Sequence, residues 1–274
     1  MARTQRQEEL LFGAQMDHSD EKLKLVQKVV DAKRTNVLDL GAGTGILSRL
    51  ISEKGIKCSA VDNNFKVDEY HNGEFITYYP VDLIKFVSNT DEKFDCVILS
   101  AVLHELPKED YKFLQKNLKK IITKDCLILI REPYYEKVKV QGEKNYYRPF
   151  KSYNEQQKAV KKIITLTPDD FSNSFNMTPK ISEVHVPFPV KILSMSFTYS
   201  YGKDSWEREK NEYRYTFSLN KLLKFCRKTL GNECVIKTET FDESYRKHFN
   251  ECGYTDDILN SVEYTNCLIE AKGN

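Results

Sequence analysis

The sequence predicts an α/β fold in which a doubly wound sheet of seven strands is mainly parallel, its last strand is antiparallel, and a long insertion follows the fifth strand. From residue 37 onwards, short apolar runs alternate with helical spacing, which is typical of βαβ units. The alternation stops between residues 134 and 217, so this segment is predicted to be the insertion. The chain closes with two strands that no convincing crossover helix separates, which predicts that the last one inserts antiparallel.

Length and composition bound the class of protein. The 274 residues, 40% of them hydrophobic, can bury a substantial core as one domain plus an embellishment. The 42 Lys and Arg residues nearly balance the 40 Asp and Glu residues, so charge offers no case for obligatory binding to a polyanion. No run approaches the ~20 apolar residues of a membrane span, and the N-terminus lacks the apolar core of a signal peptide. We therefore expect a cytoplasmic protein with no membrane partner.

The cysteines argue for the same compartment. There are seven, and they form no C-x-x-C pair, so no metal site is predicted. Four fall inside predicted strands and are expected to be small buried residues in a reducing environment. These four are Cys58, Cys96, Cys126 and Cys267.

The first element is an amphipathic helix that precedes the first strand. Ser19 or Asp20 could cap its start. Four apolar side chains recur at helical spacing and are predicted to form its buried face. They are Leu23, Val26, Val29 and Val30.

A glycine-rich loop follows the first apolar run and opens an amphipathic run, which predicts strand, tight loop and helix. It reads Asp39-Leu40-Gly41-Ala42-Gly43-Thr44-Gly45. Glycines lack a Cβ atom, so the backbone can turn sharply and a ligand can approach main-chain N–H groups, at the positive end of the following helix. A nucleotide-like ligand is therefore predicted. A dinucleotide loop reads G-x-G-x-x-G, and Ile46 takes the place of its third glycine, which counts against NAD.

The later strands are short apolar runs. They cover residues 57–62, 74–79, 95–100, 126–130, 233–241 and 263–271. The fourth predicted strand of the chain, 95–100, contains a continuous apolar run that ends before Ser100, as expected of a strand covered on both faces. Asp62 stands at the end of the second strand, and Asp82 follows the third.

In these elements the chain resembles the class I S-adenosylmethionine-dependent methyltransferases, whose loop reads acidic-x-Gly-x-Gly-x-Gly. The resemblance implies their Rossmann-like seven-stranded fold, S-adenosylmethionine as cofactor and S-adenosylhomocysteine as product. In the family, the acid in the place of Asp62 accepts both ribose hydroxyls, which suits a carboxylate. Asp82 is placed like the residue that accepts from the adenine amino group, although an Asp after a strand is as often a helix cap. The cofactor-binding residues implied are Asp39, Gly41, Ala42, Gly43, Gly45, Asp62, Asn63, Asp82, Leu83 and Ser100.

Candidate catalytic residues follow the fourth strand. His104 has an ordinary pKa that suits a base near neutrality, and the family often carries a histidine at this position. It is read either as the general base or as a residue that orders the loop, and Glu105 is a weaker candidate of the same kind. Arg131, at the end of the fifth strand, could hold a substrate anion through its planar donor fork, or it could pair with Glu105 or Glu132.

The insertion is the predicted substrate lid. Residues 131–180 carry ten Lys and Arg against six Asp and Glu, and Tyr134 begins a series of tyrosines there. A ligand crevice at this end of a doubly wound sheet would lie beside it, although the tyrosines could instead pack a small core. Trp206, Tyr213 and Arg214 could form an aromatic wall with a cationic handle, or belong to a charged helix with a solvated face.

These observations predict a methyltransferase that uses S-adenosylmethionine to methylate an oxygen or nitrogen atom of a small molecule. Three alternatives stay open. The first is an RNA-directed enzyme, in which Lys and Tyr of the insertion contact phosphates and stack on bases. The second is a non-catalytic regulatory protein that binds the cofactor, and the third is an enzyme of the same fold that uses the cofactor for something other than methyl transfer. The oligomeric state is not predicted. The predicted segments are an N-terminal cap and first helix, a cofactor-binding core, the lid, and the C-terminal part of the core, at residues 1–36, 37–133, 134–217 and 218–274.

Overall fold

The computed structural model describes residues 19–63, 65, 71–135, 217–241 and 264–273. The chain divides into two compact units. The first comprises residues 1–132, 220–239 and 267–274, and the second comprises 133–219 and 240–266. The second unit thus contains the predicted insertion together with residues 240–266, which the sequence had assigned to the core.

The strands form one sheet in which seven lie side by side in the order β3-β2-β1-β4-β5-β8-β7 and β6 pairs with β5. Their bounds are β1 Asn36–Leu40, β2 Lys57–Val61, β3 Ile76–Tyr79, β4 Phe94–Ser100, β5 Ile122–Tyr135, β6 Phe217–Ser218, β7 Val235–Phe241 and β8 Tyr264–Lys272. The fifth strand is longer at both ends than the predicted 126–130. The predicted doubly wound α/β fold is confirmed.

The sheet is parallel at its centre and antiparallel at β8. β1 pairs in parallel with both β2 and β4. In contrast, the N–H group of Gly273 donates to the carbonyl of Cys126 at 3.1 Å, and Cys267 Sγ lies 3.5 Å from the carbonyl of Glu132. Because residues later in β8 face residues earlier in β5, these two strands run in opposite directions. The predicted antiparallel last strand is confirmed.

The helices of the described residues connect these strands. Their bounds are α1 Ser19–Asp31, α2 Ile46–Ser52, α3 Leu83–Asn89, α4 Lys108–Asn117 and α5 Leu219–Leu230. Short 3-10 turns lie at Leu103–Glu105 and Leu118–Lys120. Within the part of the chain that the structure describes, no helix is long and apolar enough to cross a membrane.

The buried face of α1 differs from the predicted one. Val26 and Val29 are buried together with Leu25, as the helical spacing requires, but Leu23 is 52% exposed and Val30 37% exposed. The predicted face was therefore wrong at those two positions. The true face begins one turn earlier with two charged residues, whose roles are described below.

The four strand cysteines are buried and free, as predicted. Burial raises the pKa of the Cys126 and Cys267 thiols to about 12, because an apolar surrounding disfavours a thiolate. They are inert core residues rather than nucleophiles. Over the described ranges, no group of three or more His, Cys, Asp or Glu side chains is arranged to hold a metal ion.

Candidate functional site

The loop between β1 and α2 has backbone angles that favour glycine at three alternating positions. Gly41, Gly43 and Gly45 have φ values of 72°, 62° and 71°. The N–H groups of Gly41 and Ala42 both donate to the carbonyl of Val61, at 2.8 and 3.1 Å. Since L side chains rarely adopt positive φ, the glycines follow from this path of the backbone, and the path ties the loop to the end of β2.

Asp62 is held by the same loop. Its Oδ2 atom accepts a hydrogen bond from the N–H group of Gly43 at 2.9 Å. An ionised carboxylate offers about four acceptor sites, so this bond orients the side chain without using up its capacity. Asp62 is partly exposed and the following residue, Asn63, is exposed at the surface. The structure thus brings together the two features that the sequence showed separately.

Asp39 lies buried below the loop. Its Oδ2 atom accepts from Ser48 Oγ on α2 at 2.6 Å, which joins the end of β1 to the helix. Burial raises the pKa of Asp39 to about 6, and the nearby Asp62 acts in the same direction, while Ser48 and Lys22 oppose the shift. Asp39 is therefore a supporting residue of the loop rather than a group that faces solvent.

Two charged residues of α1 reach into this region. Glu21 and Lys22 are buried, and Glu21 Oε2 lies 3.4 Å from Nε of Arg131. Burial, followed by the charge of Arg131, lowers the pKa of Lys22 to about 8. Sequence reasoning missed both residues, because charges on an amphipathic helix are normally assigned to solvent. The available signal was their spacing, since they stand four residues before Leu25 and Val26.

Arg131 pairs with neither of its predicted partners. Its guanidinium group is buried and forms the ion pair with Glu21 rather than with Glu105 or Glu132. Buried ion pairs are costly to break from one side. The contact with Glu21 is made by Nε, and a guanidinium group has further N–H donors. The role of Arg131 in holding a substrate anion stays a prediction.

Asp82 caps helix α3, whose first residue is Leu83. Its Oδ1 atom accepts from the N–H groups of Ile84 and Lys85 at 2.9 and 3.1 Å. This is the N-cap arrangement that the sequence left open. The adenine-binding role of Asp82 stays a prediction beside this structural one.

The loop after β4 lies directly against the glycine loop. A Cβ atom added to Gly41 would meet Val102 Cγ2 and come within 2.9 Å of Val102 Cβ. Ala101 has a φ of 58°, in the left-handed region, and its N–H group donates to the carbonyl of Arg131 at 2.6 Å. A non-glycine residue in this conformation is strained and must be held by its surroundings.

Glu132 supplies that support and also contacts His104. Its Oε1 atom accepts from the N–H groups of Val102 and Leu103 at 2.8 and 2.6 Å. Its Oε2 atom lies 2.7 Å from His104 Nδ1. Glu132 is 0% exposed and His104 5%, whereas Glu105 is exposed, with Oε1 3.9 Å from His104 Nε2. The carboxylate within hydrogen-bonding distance of the histidine is thus Glu132.

Sequence reasoning named Glu132 only as a partner for Arg131. The signal that could have identified it is an acidic residue two positions after the apolar run 126–130 of β5, where an unpaired charge would be costly.

Among the other predicted substrate residues, only the backbone of Tyr134 is described, where it pairs with Phe217. Trp206, Tyr213 and Arg214 lie outside the described residues.

The fold is that of an α/β protein in which two adjoining loops meet at the carboxyl edge of the sheet, the edge where open α/β sheets bind their ligands. A family model described as a methyltransferase domain matches residues 4–161, which is more than half of the chain. The chain therefore belongs to the methyltransferase-domain family.

Individual relatives are distant. An uncharacterized methyltransferase of Staphylococcus carnosus (strain TM300) is 26% identical over 141 residues, which are 48% of this chain and 63% of the relative. The chain thus spans less than two thirds of that relative's length.

Solved structures with the same fold include the plantazolicin methyltransferase BpumL in complex with a pentazolic desmethylPZN analogue and SAH. It has a TM-score of 0.50 and 11% identity, over 94% of this chain and 85% of that one. The plantazolicin methyltransferase BamL, in complex with a triazolic analogue and SAH, has a TM-score of 0.50 and 9% identity, over 94% and 84%. At these identities the likeness concerns the fold.

Proposed function

We propose that this protein is a methyltransferase that uses S-adenosylmethionine to methylate an oxygen or nitrogen atom of a small molecule. The observation that carries the proposal is the hydrogen bond between the N–H group of Gly43 and Asp62. It joins a backbone-lined loop to a carboxylate that would accept hydrogen bonds from the hydroxyls of a nucleoside. Membership of the methyltransferase-domain family supports the reaction class.

The residues present fit such a cofactor. Gly43 and Gly45 carry no side chain of their own, and their φ values of 62° and 71° are ones that residues with a Cβ atom rarely adopt. Asp62 would accept hydrogen bonds from the ribose hydroxyls, because a carboxylate presents two acceptor oxygens to a vicinal diol. Asp39 would act indirectly, by holding α2 against β1 through Ser48. The loop residue Ala42 and the flanking Asn63, Asp82, Leu83 and Ser100 complete the proposed set.

Bound S-adenosylmethionine supplies a methyl group on a positively charged sulfur. The protein must then hold the acceptor in line with that methyl group and, where the acceptor carries a proton, remove it. In this reaction His104 would accept that proton at Nε2. The contact between Nδ1 and Glu132 supports this role, because a proton held on Nδ1 leaves the lone pair of a neutral ring on Nε2.

The balanced charge of the chain favours a small molecule over a polyanion as the acceptor. There are 42 basic and 40 acidic residues, so no strong field would attract RNA. Tyr134, Trp206, Tyr213 and Arg214 are proposed as substrate contacts of the insertion, on the basis of the sequence. RNA stays an alternative acceptor that the experiment below can detect.

Calorimetric titration with S-adenosylmethionine tests the cofactor assignment. We expect the wild-type protein to bind and Asp62→Ala to weaken binding by about 1–3 kcal/mol, or about 5- to 150-fold, because ribose hydroxyls would lose their partner. Asp91→Ala removes an exposed carboxylate elsewhere and is the matched control. Unchanged affinity in Asp62→Ala would contradict the ribose assignment.

Transfer is tested with cofactor labelled in its methyl group. The protein is incubated with a metabolite extract and, separately, with total RNA, and the label is followed into each. We expect label in a small-molecule fraction. Label in RNA alone would replace the acceptor class, and binding without transfer to either fraction would favour a regulatory protein.

A further inference from the structure

A buried carboxylate on β5 carries more interactions than packing requires. Glu132 is 0% exposed, and burying a carboxylate costs several kcal/mol unless donors compensate it. Three donors converge on it: the N–H groups of Val102 and Leu103 on Oε1, and the His104 ring on Oε2. A carboxylate with this set of partners controls the loop and the ring at once.

The contact with His104 determines which ring nitrogen is basic. An ionised carboxylate only accepts hydrogen bonds, so His104 Nδ1 must carry the proton in the 2.7 Å contact with Glu132 Oε2. In a neutral imidazole the lone pair then lies on Nε2. The side chain of Glu132 therefore selects the atom at which His104 can accept a proton.

The other oxygen acts on the loop that faces the glycines. The bond to the Val102 N–H group holds the residue whose side chain packs against Gly41. The bond to Leu103 extends the same support toward His104. One carboxylate thus ties the candidate base to the surface of the cofactor loop.

We propose that Glu132 is the positioning residue of the methyl-transfer site: it holds neutral His104 with its proton on Nδ1 and its lone pair on Nε2, and it fixes the Val102 loop against Gly41. This inference rests on the proposed function, in which His104 is the base. Glu132 itself acts through His104 and the loop.

Glu132→Gln separates the two tasks of the carboxylate. The amide oxygen can still accept from Val102 and Leu103, but the amide nitrogen now donates to His104 Nδ1, so the proton moves to Nε2. The tautomer is measured by long-range ¹H–¹⁵N spectra of the full-length protein, with His104→Gln to assign the ring signals. We expect the Nδ1–H form in the wild type and the Nε2–H form in Glu132→Gln. Glu109→Gln, the same change at an exposed site, should keep the Nδ1–H form.

Kinetics give the second readout, with the acceptor identified by methyl labelling. Glu132→Gln is expected to lower kcat by about 100-fold or more, as for a base held in the wrong tautomer, while the Kd for S-adenosylmethionine changes less than about threefold because the loop bonds persist. Glu132→Asp, which keeps the carboxylate, should recover part of the lost turnover. Equal losses in kcat and cofactor affinity would indicate a merely structural residue.

The spectrum of the wild-type protein tests the position of the proton on His104 even where a variant fails to fold. An Nε2–H ring in the wild type would overturn the inference, and so would an unchanged kcat in Glu132→Gln. A protein that showed the Nδ1–H ring but bound no S-adenosylmethionine would instead overturn the proposed function. The two failures are therefore distinguishable.

Discussion

Two sides of the candidate site are built in different ways. The donor side, which in the proposed function would bind the methyl donor, is the loop from Asp39 to Gly45 with Asp62. It is held mainly by backbone angles and backbone N–H groups. The acceptor side, which in the proposed function would face the methyl acceptor, is the loop from Ser100 to His104. Apart from the backbone bond between Ala101 and Arg131, it is held by the side chain of Glu132, which lies 28 residues beyond His104. A loop that is held by local backbone geometry can be recognised in the sequence as a motif. A loop that is held by a side chain distant in the sequence cannot.

The two sides touch where Val102 packs against Gly41. This contact makes the comparison testable, because it allows a structural change on one side to affect the other side. The variants below are ordered from the largest expected effect to the smallest.

Replacing the histidine should affect the acceptor side alone. His104→Gln is expected to lower kcat by about 100- to 10,000-fold, the range for removal of a general base, with a change of less than about threefold in cofactor Kd. Turnover is measured with the identified acceptor and Kd by calorimetry. His71→Gln, an exposed histidine, is the matched control. Parallel losses of turnover and affinity would make His104 a structural residue and remove the distinction between the sides.

Adding a methyl group at the contact should disturb both sides. Gly41→Ala places a Cβ atom against Val102 at a φ of 72°, so conformational strain and overpacking together should lower the free energy of unfolding by about 2–5 kcal/mol. Chemical denaturation measures this change. We also expect weaker binding of S-adenosylmethionine.

Gly55→Ala is the matched control for that variant. Gly55 has nearly the same φ, 71°, but nothing lies within 4 Å of an added Cβ atom, so only the strain of about 1–2 kcal/mol should remain. Equal losses of stability in the two variants would show that the contact with Val102 is soft and that the sides are independent.

The donor side should carry a pH dependence of stability that originates at Asp39. The pKa of Asp39 is about 6 in the folded protein against 3.8 for an ordinary aspartate, so the folded state binds the proton more tightly than the unfolded state. The stabilisation that protonated Asp39 gives to the folded state is fully present below about pH 4 and is lost as the pH rises through about 6. Asp39→Asn, which cannot ionise, should therefore gain about 2–3 kcal/mol of stability relative to the wild type across this window.

Denaturation at a series of pH values between 4 and 8 checks this expectation. Ser48→Ala removes a hydrogen bond that favours the ionised form of Asp39. The free energy of unfolding of this variant should therefore fall more steeply as the pH rises. A constant stability difference between Asp39→Asn and the wild type would show that Asp39 does not titrate in this range.

Much of the fold could be predicted from the sequence because the patterns that indicate it are local. The alternation of strands and helices, the glycine loop and the unusual closing strand each follow from short stretches of sequence. The errors fell on α1, where Leu23 and Val30 are exposed and Glu21 is buried. Hydrophobicity predicts the buried face of a helix poorly when the core contains a charged residue, here Arg131, that pairs with a charged residue of the helix.

The sequence by itself determined the donor loop, because each positive φ needs a glycine at its own position and the pattern is contiguous. Only the tertiary structure decided which carboxylate serves His104. The parallel pairing of β4 with β5 sets Ser100 beside Arg131, so the next residue of β5, Glu132, lies next to the loop that begins at Ala101. A register shift of one residue would turn its side chain to the opposite face of the sheet, and strand register is a property of the assembled sheet rather than of either strand.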